Sequence, residues 1–322
     1  MIVTLTPNPS HDRTVTLDAP LERGAVQRAA SVLSQAGGKG VNISRASVAA
    51  GVPSIAVLPA PSDDPFVLEL LAAGIDCRPV DGTGSPRVNI TITEPDGTTT
   101  KLNSPGPDVT PEVLRALVDS LRRRAGSADW IVLAGSLPPG APSSWYAEVV
   151  TALRDTPARV AVDTSDAPLR ALVDALPGAA PYLMKPNGDE LASFTGGDAE
   201  ELERDPHAAA RAARLLVDRG VSTVLATLGA NGAVLVTADG AWHASPPPTT
   251  VVSTVGAGDS SLFGYLLGDL RKHSPAQRLA LAVAYGSAAA GLPGTTIPLP
   301  AQVRPDLVAV RDLLDTQEGE RV

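Results

Sequence analysis

The sequence has few of the residues that build disulfides, zinc sites or aromatic binding platforms. Its 322 residues include one cysteine, four histidines and only 3% aromatic side chains. A lone cysteine, Cys77, cannot form an intramolecular disulfide, and isolated histidines without a Cys pair exclude the usual zinc spacing. No apolar run reaches the roughly 18 residues that a membrane-spanning helix needs. Because the opening MIVTLTPNPS is typical of a strand rather than a secretion signal, we expect a soluble cytoplasmic protein.

Positive charge is also in short supply. The chain has 26 Lys and Arg against 35 Asp and Glu, a formal net charge of −9. An acidic surface predicts no nucleic-acid partner and no anionic membrane partner. It still leaves room for a local basic pocket that binds a phosphorylated ligand.

Short β-rich runs alternate with amphipathic stretches along most of the chain. The predicted strands are Ile2–Thr6, Ser54–Leu58, Trp130–Ala134, Val160–Asp163, Tyr182–Met184, Thr223–Thr227 and Ala233–Val236. The predicted helices are Pro111–Arg124, Ser144–Arg154, His207–Arg219, Ser260–His273, Pro275–Ala290 and Pro305–Thr316. This alternation is typical of βαβ units. We therefore predict an α/β fold, a central and mostly parallel sheet with helices on both faces, and a single domain over residues 1–322.

Two segments interrupt this alternation. DRTVTLDAP, which begins at Asp12, and Arg87–Ser104 both alternate polar and apolar residues with period two, and the second contains a turn at Glu94–Gly97. Such a half-exposed sheet does not fit inside a doubly wound core. We predict a small β-sheet lid, formed by residues about 12–34 and 86–104, over one end of the main sheet.

The stretch STVGAGDSS, Ser253–Ser261, places small residues and a carboxylate between two apolar runs. Val251–Val252 are expected to end a strand and a helix to follow. Glycines there leave backbone N–H groups open to an anion, and Asp259 can take a proton from an alcohol that attacks that anion. A helix cap and an ordinary turn explain the same residues, so the stretch by itself leaves both interpretations open.

A second glycine-rich stretch, AGGKGVNISRAS at Ala36–Ser47, also opens a helix. It is neither a Walker A loop, since Gly40 follows Lys39, nor a dinucleotide fingerprint, since no acidic residue closes the unit. Lys39 is well placed to hold an anion and Asn42 offers an amide to a sugar hydroxyl. The alternative is a solvated turn.

Three more segments follow predicted strands. Asp12 can accept hydrogen bonds from two neighbouring hydroxyls, although on its own an ordinary surface aspartate is the simpler interpretation. In LMKPNGDEL, Asn187 and Glu190 either hold a hydrated Mg²⁺ or form a capping box, and Lys185 can meet a nucleotide phosphate. ATLGANGAVL is a hairpin corner or a surface for a nucleotide base. Since ligands bind at the carboxyl edge of a parallel sheet, these signals together predict phosphoryl transfer from a nucleotide to a sugar alcohol.

The chain resembles the ribokinase-like (PfkB) carbohydrate kinases over nearly its full length. The segments that carry the resemblance are TLTPNPSHDRTV, GGKGVNISRA, RVNITITEPDGTTTKLNSPGP, GSLPPG, VDTS, MKPNGDEL, TLGANGAVLV and VVSTVGAGDS. The last has S-T-V-G-A-G-D where the wider family has D-T-x-G-A-G-D, which makes it similar to the phosphosugar branch that includes the 1-phosphofructokinases. The resemblance implies ATP and Mg²⁺ as cofactors and a phosphosugar as substrate.

The resemblance also implies residue roles. The catalytic base is Asp259, and the anion hole is formed by Gly256, Ala257 and Gly258. The substrate is bound by Asp12, Gly38, Lys39, Gly40, Asn42, Arg87 and Ser136, with Lys39 and Arg87 on its phosphate. The nucleotide is bound by Lys185, Asn187, Glu190, Thr227, Gly229, Gly232 and Gly258, and Asn187 and Glu190 organise Mg²⁺ through water.

Lys39 bears on the choice of sugar. In the minor 6-phosphofructokinase type this position is glycine and a lysine lies near the position of Ala25; this chain has the opposite pattern, which favours fructose 1-phosphate. Tagatose-6-phosphate kinase or 6-phosphofructokinase activity, and a non-catalytic sugar-phosphate sensor, are the alternatives. One departure is APSDDP, Ala60–Pro65, where the family usually has a glycine-rich segment near the substrate. Lids in the family often pair sheet to sheet, so we expect a homodimer through the lid.

Overall fold

The computed structural model describes residues 1–82 and 84–313. The strands are β1 (Ile2–Leu5), β2 (Ser10–Thr16), β3 (Ser31–Gly37), β4 (Ser54–Pro59), β5 (Asp76–Val80), β6 (Arg87–Thr93), β7 (Thr99–Asn103), β8 (Trp130–Ala134), β9 (Arg159–Asp163), β10 (Leu183–Met184), β11 (Thr223–Thr227), β12 (Ala233–Thr237), β13 (Gly240–Ser245) and β14 (Ala309–Asp312). The α-helices are α1 (Lys39–Ala49), α2 (Pro65–Ala72), α3 (Pro111–Ala125), α4 (Trp145–Leu153), α5 (Asp166–Asp174), α6 (Gly188–Thr195), α7 (Ala199–Arg204), α8 (Pro206–Val217), α9 (Ala257–Leu270) and α10 (Pro275–Ala290). Short 3₁₀ turns occupy Gly229–Asn231, Pro300–Gln302 and Pro305–Leu307.

Ten of these strands form one large sheet in the order β14-β13-β12-β11-β10-β9-β8-β1-β4-β5. Neighbouring strands from β11 to β5 are parallel, whereas β12, β13 and β14 add an antiparallel edge. The strand sequence WIVLA of β8 is buried along its whole length, as expected for a parallel strand covered on both faces. The predicted α/β class and mostly parallel sheet are confirmed.

Side chains that alternate along the strands build a core on each face of this sheet. In β8, Ile131 and Leu133 pack with α3, α4, α5 and α8, while Trp130 and Val132 pack with α1, α9 and α10. The helices therefore cover both faces, as the sequence predicted. None of the described helices combines the length and the apolarity needed to cross a membrane.

A separate sheet of four strands has the order β3-β2-β6-β7. The predicted hairpin is present, because β6 and β7 pair antiparallel around a turn closed by the bond from Gly97 N to Glu94 O. Asp12 shares one face with Asn89 and Gln35, whereas Val15, Val32, Ile90, Ile92 and Leu102 lie on the other face. That this sheet works as a lid, and that residues 1–322 form one domain, stay predictions.

The structure contradicts two of the predicted elements. Residues 305–313 form a 3₁₀ turn and strand β14 instead of the helix Pro305–Thr316, whose remaining residues lie outside those described. Val308 and Val310 are two apart and both pack on the core, a spacing that a strand satisfies and a helix does not. Val251–Val252 are exposed loop residues rather than the end of a strand, since β13 stops at Ser245, just before three prolines that cannot donate to a ladder.

Candidate active site

The first turn of α9 carries a buried carboxylate. Gly256 precedes the helix at φ +78°, a left-handed conformation that glycine adopts without strain. Asp259 is 6% exposed. Its Oδ2 accepts a hydrogen bond of 2.8 Å from Asn42 Nδ2 in α1, and no bond from Asp259 to the N-terminus of its own helix is found among the described residues. The interpretation of Asp259 as a helix cap is therefore wrong.

The surroundings of Asp259 change how readily it ionises. The pKa of Asp259 is raised to about 6, chiefly by burial; the Asp163 carboxylate also raises it, while Lys39, the Asn42 amide and Lys185 oppose the shift. A carboxylate with a pKa near 6 is ionised at neutral pH but holds a proton far better than a solvated aspartate. Such a group can serve as a general base.

A second buried carboxylate, Asp163, joins two lysines. It lies at the carboxyl end of β9 with a fully buried side chain, and its Oδ1 is 2.6 Å from Lys39 Nζ and its Oδ2 3.2 Å from Lys185 Nζ. Burial raises the pKa of Asp163, but the two ammonium groups outweigh burial and hold it below its ordinary value. Sequence reasoning missed Asp163 as a site residue, although a predicted strand ended on it and a carboxylate in that place was the available signal.

Both lysines point toward the start of α9. Burial lowers the pKa of Lys39, but Asp163 and Asp259 outweigh burial, so its pKa lies above the ordinary value and the side chain stays cationic. A Cβ on Gly258 would stand 3.3 Å from Lys185 Nζ, which places that ammonium beside the first turn of α9. Two cations and the N–H groups at the start of α9 therefore converge on one point, where Ala257 N donates to Thr254 O at 3.4 Å.

The loop before α1 depends on two glycines. Gly38 has φ +115°, and a Cβ there would lie 2.7 Å from Thr6 Cγ2. A Cβ on Gly40 would lie 2.5 Å from Thr6 Oγ1, and that buried hydroxyl has no hydrogen-bond partner among the described residues. The glycines let α1 begin directly against the end of β1, which fixes where Lys39 and Asn42 emerge.

The remaining substrate candidates are Asp12 and Arg87 on the second sheet and Ser136, which follows β8 of the large sheet. Asp12 Oδ1 accepts bonds from Ser10 Oγ at 2.8 Å and Asn89 Nδ2 at 3.1 Å. Arg87 donates to Ser104 O at 2.8 Å and contacts Ser136 Oγ at 3.4 Å. Burial lowers the pKa of Arg87, and the carboxylate of Asp12 opposes that shift. The two opposite charges therefore lie near each other.

The candidate nucleotide residues follow β10 and β11. Asn187 Oδ1 accepts from Glu190 N at 2.7 Å and Glu190 Oε2 accepts from Asn187 N at 2.9 Å, so the capping box is present at the start of α6. Thr227 ends β11 and forms a bridge with Asn187. The predicted hairpin corner is present: Gly229 starts a 3₁₀ turn, and a Cβ on Gly232 would lie 1.9 Å from Ala244 O.

The sequence candidates thus occupy three places, two at the carboxyl edge of the large sheet and one where the second sheet meets that edge at Ser136. Asp259, Asn42, Lys39 and Lys185 form a connected cluster with Asp163. Arg87 contacts Ser136 and lies near Asp12. Gly229 and Gly232 belong to a separate turn, linked to the rest through Thr227 and Asn187. Among the described residues, no three His, Cys, Asp or Glu side chains cluster so as to hold a metal ion.

The sequence profile of the family described as pfkB family carbohydrate kinase matches residues 6–302. This chain belongs to the pfkB family. It is 34% identical over 319 residues to the 1-phosphofructokinase of Escherichia coli strain K12, which covers 98% of each chain. It is 36% identical over 291 residues to the 1-phosphofructokinase of Xanthomonas campestris, covering 87% of this chain and 88% of that one.

A solved structure of a pfkB-type fold agrees with these relatives. Phosphofructokinase-2 of Escherichia coli, solved in complex with substrates and products, superposes with a TM-score of 0.85 at 27% identity, covering 95% of this chain and 99% of that one. As a pfkB carbohydrate kinase, this chain is an ATP-dependent sugar kinase.

Proposed function

We propose that this chain transfers the γ-phosphoryl group of ATP to the 6-hydroxyl of fructose 1-phosphate, giving fructose 1,6-bisphosphate and ADP. The observation that carries the proposal is the buried Asp259 carboxylate in the first turn of α9, held from the side by Asn42 and facing two lysines. The choice of fructose 1-phosphate is supported by the relatives at 34–36% identity, which are 1-phosphofructokinases. Lys39, which distinguishes the branch, supports the same choice.

Asp259 acts as the general base. The sugar hydroxyl gives its proton to the carboxylate as the hydroxyl oxygen forms a bond to the γ-phosphorus, and the bond from that phosphorus to the bridging oxygen of ADP breaks. The N–H groups at Gly256, Ala257 and Gly258 stabilise the negative charge on the transferring group. Lys185 supports that charge from the nucleotide side.

On the substrate side, Asp12 and Asn42 bind sugar hydroxyls while Lys39 and Arg87 bind the sugar phosphate. Gly38 and Gly40 allow the close approach, and Ser136 holds Arg87. The second sheet closes over this pocket as a lid and excludes water from the reaction. The outward apolar face of the lid joins a second copy of the chain.

The nucleotide occupies the edge formed by Lys185, Thr227, Gly229 and Gly232. Asn187 Oδ1 and Glu190 Oε2 accept the two hydrogen bonds of the capping box. Glu190 Oε1 has no hydrogen bond among the described residues. That fits Mg²⁺, which keeps most of its waters and takes few protein ligands beside substrate phosphates. Asn187 and Glu190 would hold it through water, where it supplies charge neutralisation on the phosphates.

An ADP-release assay over a panel of sugars tests the proposal. Fructose 1-phosphate, fructose 6-phosphate, tagatose 6-phosphate and fructose are each offered with ATP and Mg²⁺. The proposal expects the highest kcat/KM with fructose 1-phosphate. A preference for tagatose 6-phosphate or fructose 6-phosphate contradicts the sugar assignment, and binding without turnover of any sugar supports a sensor and contradicts the kinase mechanism.

A further inference from the structure

Helix α2 contacts the second sheet where edge strand β3 ends and leads into α1. Ala36 lies near the end of β3, whose outer edge has no neighbouring strand in the sheet. Its N–H donates to Glu69 Oε1 of α2 at 2.7 Å, and its carbonyl accepts from Arg45 Nη2 of α1 at 2.9 Å. Arg45 Nη2 also donates to Glu69 Oε1 at 3.0 Å. The Glu69–Arg45 pair therefore takes the place of the missing strand.

A second contact joins α2 to the same region. Phe66, which is fully buried, meets the ring of His11 in β2 edge to face at 5.2 Å between centroids. His11 is the register partner of Ala36. Helix α2 therefore contacts two neighbouring strands of the second sheet: β2 through an aromatic contact and β3 through a charged hydrogen bond.

The unusual loop Ala60–Pro65 sets the position of α2. Asp64 is 7% exposed and caps this helix, since its carboxylate accepts from Phe66 N at 2.9 Å. One of the two acids that replace the family's glycine-rich segment is therefore a buried helix cap, whereas Asp63 is exposed.

Ala36, which Glu69 and Arg45 contact, directly precedes residues of the candidate sugar pocket. Gly37 follows Ala36, and a Cβ on Gly37 would stand 2.2 Å from Asp12 Oδ2. Gly38 and Lys39 come next and begin α1. A small displacement of Ala36 therefore moves the backbone against Asp12 and the base of Lys39 together.

We propose that Glu69, with Arg45, is a positioning residue: a clamp from α2 to the edge of β3 that sets the sugar-phosphate pocket formed by Asp12 and Lys39. This rests on the proposed function, because it takes those two residues to bind the phosphosugar. The clamp lies outside the reacting atoms and touches neither Asp259 nor the nucleotide edge. Its loss should act on sugar binding and leave ATP binding unchanged.

The test compares Glu69→Ala with Glu69→Gln, which keeps an acceptor oxygen for Ala36 N–H. Glu112→Ala is the matched control, since Glu112 forms an exposed pair with Arg115 on α3. Steady-state kinetics gives KM for the phosphosugar, KM for ATP and kcat. Hydrogen exchange of a peptide spanning residues 33–40, with and without phosphosugar, reports the pocket without relying on activity.

Glu69→Ala should raise KM for the phosphosugar about 5- to 50-fold at unchanged KM for ATP, and should speed exchange in the 33–40 peptide. Glu69→Gln should recover most of both effects and Glu112→Ala should change neither. An unchanged sugar KM, or an equal rise in both KM values with a lowered Tm in both Glu69 variants, overturns the clamp. If the wild-type chain turns over no phosphosugar, the proposed function fails and hydrogen exchange alone tests the clamp. The clamp is then overturned if the 33–40 peptide exchanges no faster in Glu69→Ala than in Glu112→Ala.

Discussion

At the scale of single residues, the charge of Asp259 matters both for chemistry and for stability. Its carboxylate has one amide donor, Asn42, and faces Lys39 and Asp163, so its ionisation depends on a balance between burial and charges of both signs. The same burial that raises its proton affinity removes it from water.

Activity should depend on pH through Asp259. A general base works in its ionised form, so kcat/KM should fall as pH drops through about 6, the pKa to which burial raises Asp259. Asp259→Asn should lower kcat by about 10²- to 10⁴-fold with sugar KM little changed. Asp306→Asn, at an exposed pair with Arg304, is the control. A near-normal kcat in Asp259→Asn would contradict the base assignment.

Stability should respond to the same substitution in the opposite direction. The pKa of Asp259 is raised on folding from 3.8 to about 6, so its contribution to stability is fully present below pH 3.8 and is lost as pH rises through about 6. At pH 8 the ionised group costs up to about 3 kcal/mol. Asp259→Asn should therefore increase the free energy of unfolding in urea at pH 8, and the gain should shrink toward pH 4. A loss of stability at pH 8 would show that the charge is fully compensated by Lys39.

At the scale of elements, the position of Asp259 depends on how closely α9 packs on α10. Gly264 lies at their crossing, where a Cβ would stand 2.5 Å from Leu281 O and 2.9 Å from Ala282 Cα. The obstacle is helix backbone, which cannot rotate away as a side chain can. The glycine lets the two helices touch, and the packing in turn fixes the start of α9.

Gly264→Ala should destabilise the protein by about 1–3 kcal/mol, because overpacking forces the two helices apart. Gly126→Ala is the matched control: it follows α3 at φ −66° and a Cβ there meets nothing within 4 Å. Urea unfolding of both variants measures the difference. Equal stabilities would mean that α9 and α10 shift apart at little cost, in which case kcat of Gly264→Ala should fall instead.

At the scale of the whole molecule, the face of the second sheet that carries Val15, Val32, Ile90, Ile92 and Leu102 is exposed beyond the end of the sheet where α2 contacts His11. Val32 and Leu102 lie on this face and are 58% and 55% exposed. Apolar side chains grouped on one face of a sheet are typical of an interface. This is the physical ground for the predicted homodimer.

Sedimentation at micromolar concentration should show a dimer for the wild-type chain. The double variant Val32→Asp with Leu102→Asp should sediment as a monomer, because each introduced charge would be buried in the interface. Leu215→Asp on α8, where Leu215 is 52% exposed, is the control and should leave the dimer intact. A wild-type monomer, or a dimer that survives the double variant, contradicts pairing through this face.

The sequence by itself determined the α/β class, most strands of the large sheet and the hairpin of the second sheet, because period-two and period-3.6 patterns and turn residues act locally. It misassigned the segment at 305–313, where β14 forms by pairing with β13, more than sixty residues earlier in the chain, and packs Val310 on the core. The stretch around Asp259, taken alone, left it undecided between cap and base, since either role suits a carboxylate in a first helical turn; the other motifs and the family resemblance favoured the base. Only the tertiary structure brought Asn42 to Asp259 and Asp163 between Lys39 and Lys185, because these groups lie far apart along the chain and meet where parallel strands end together.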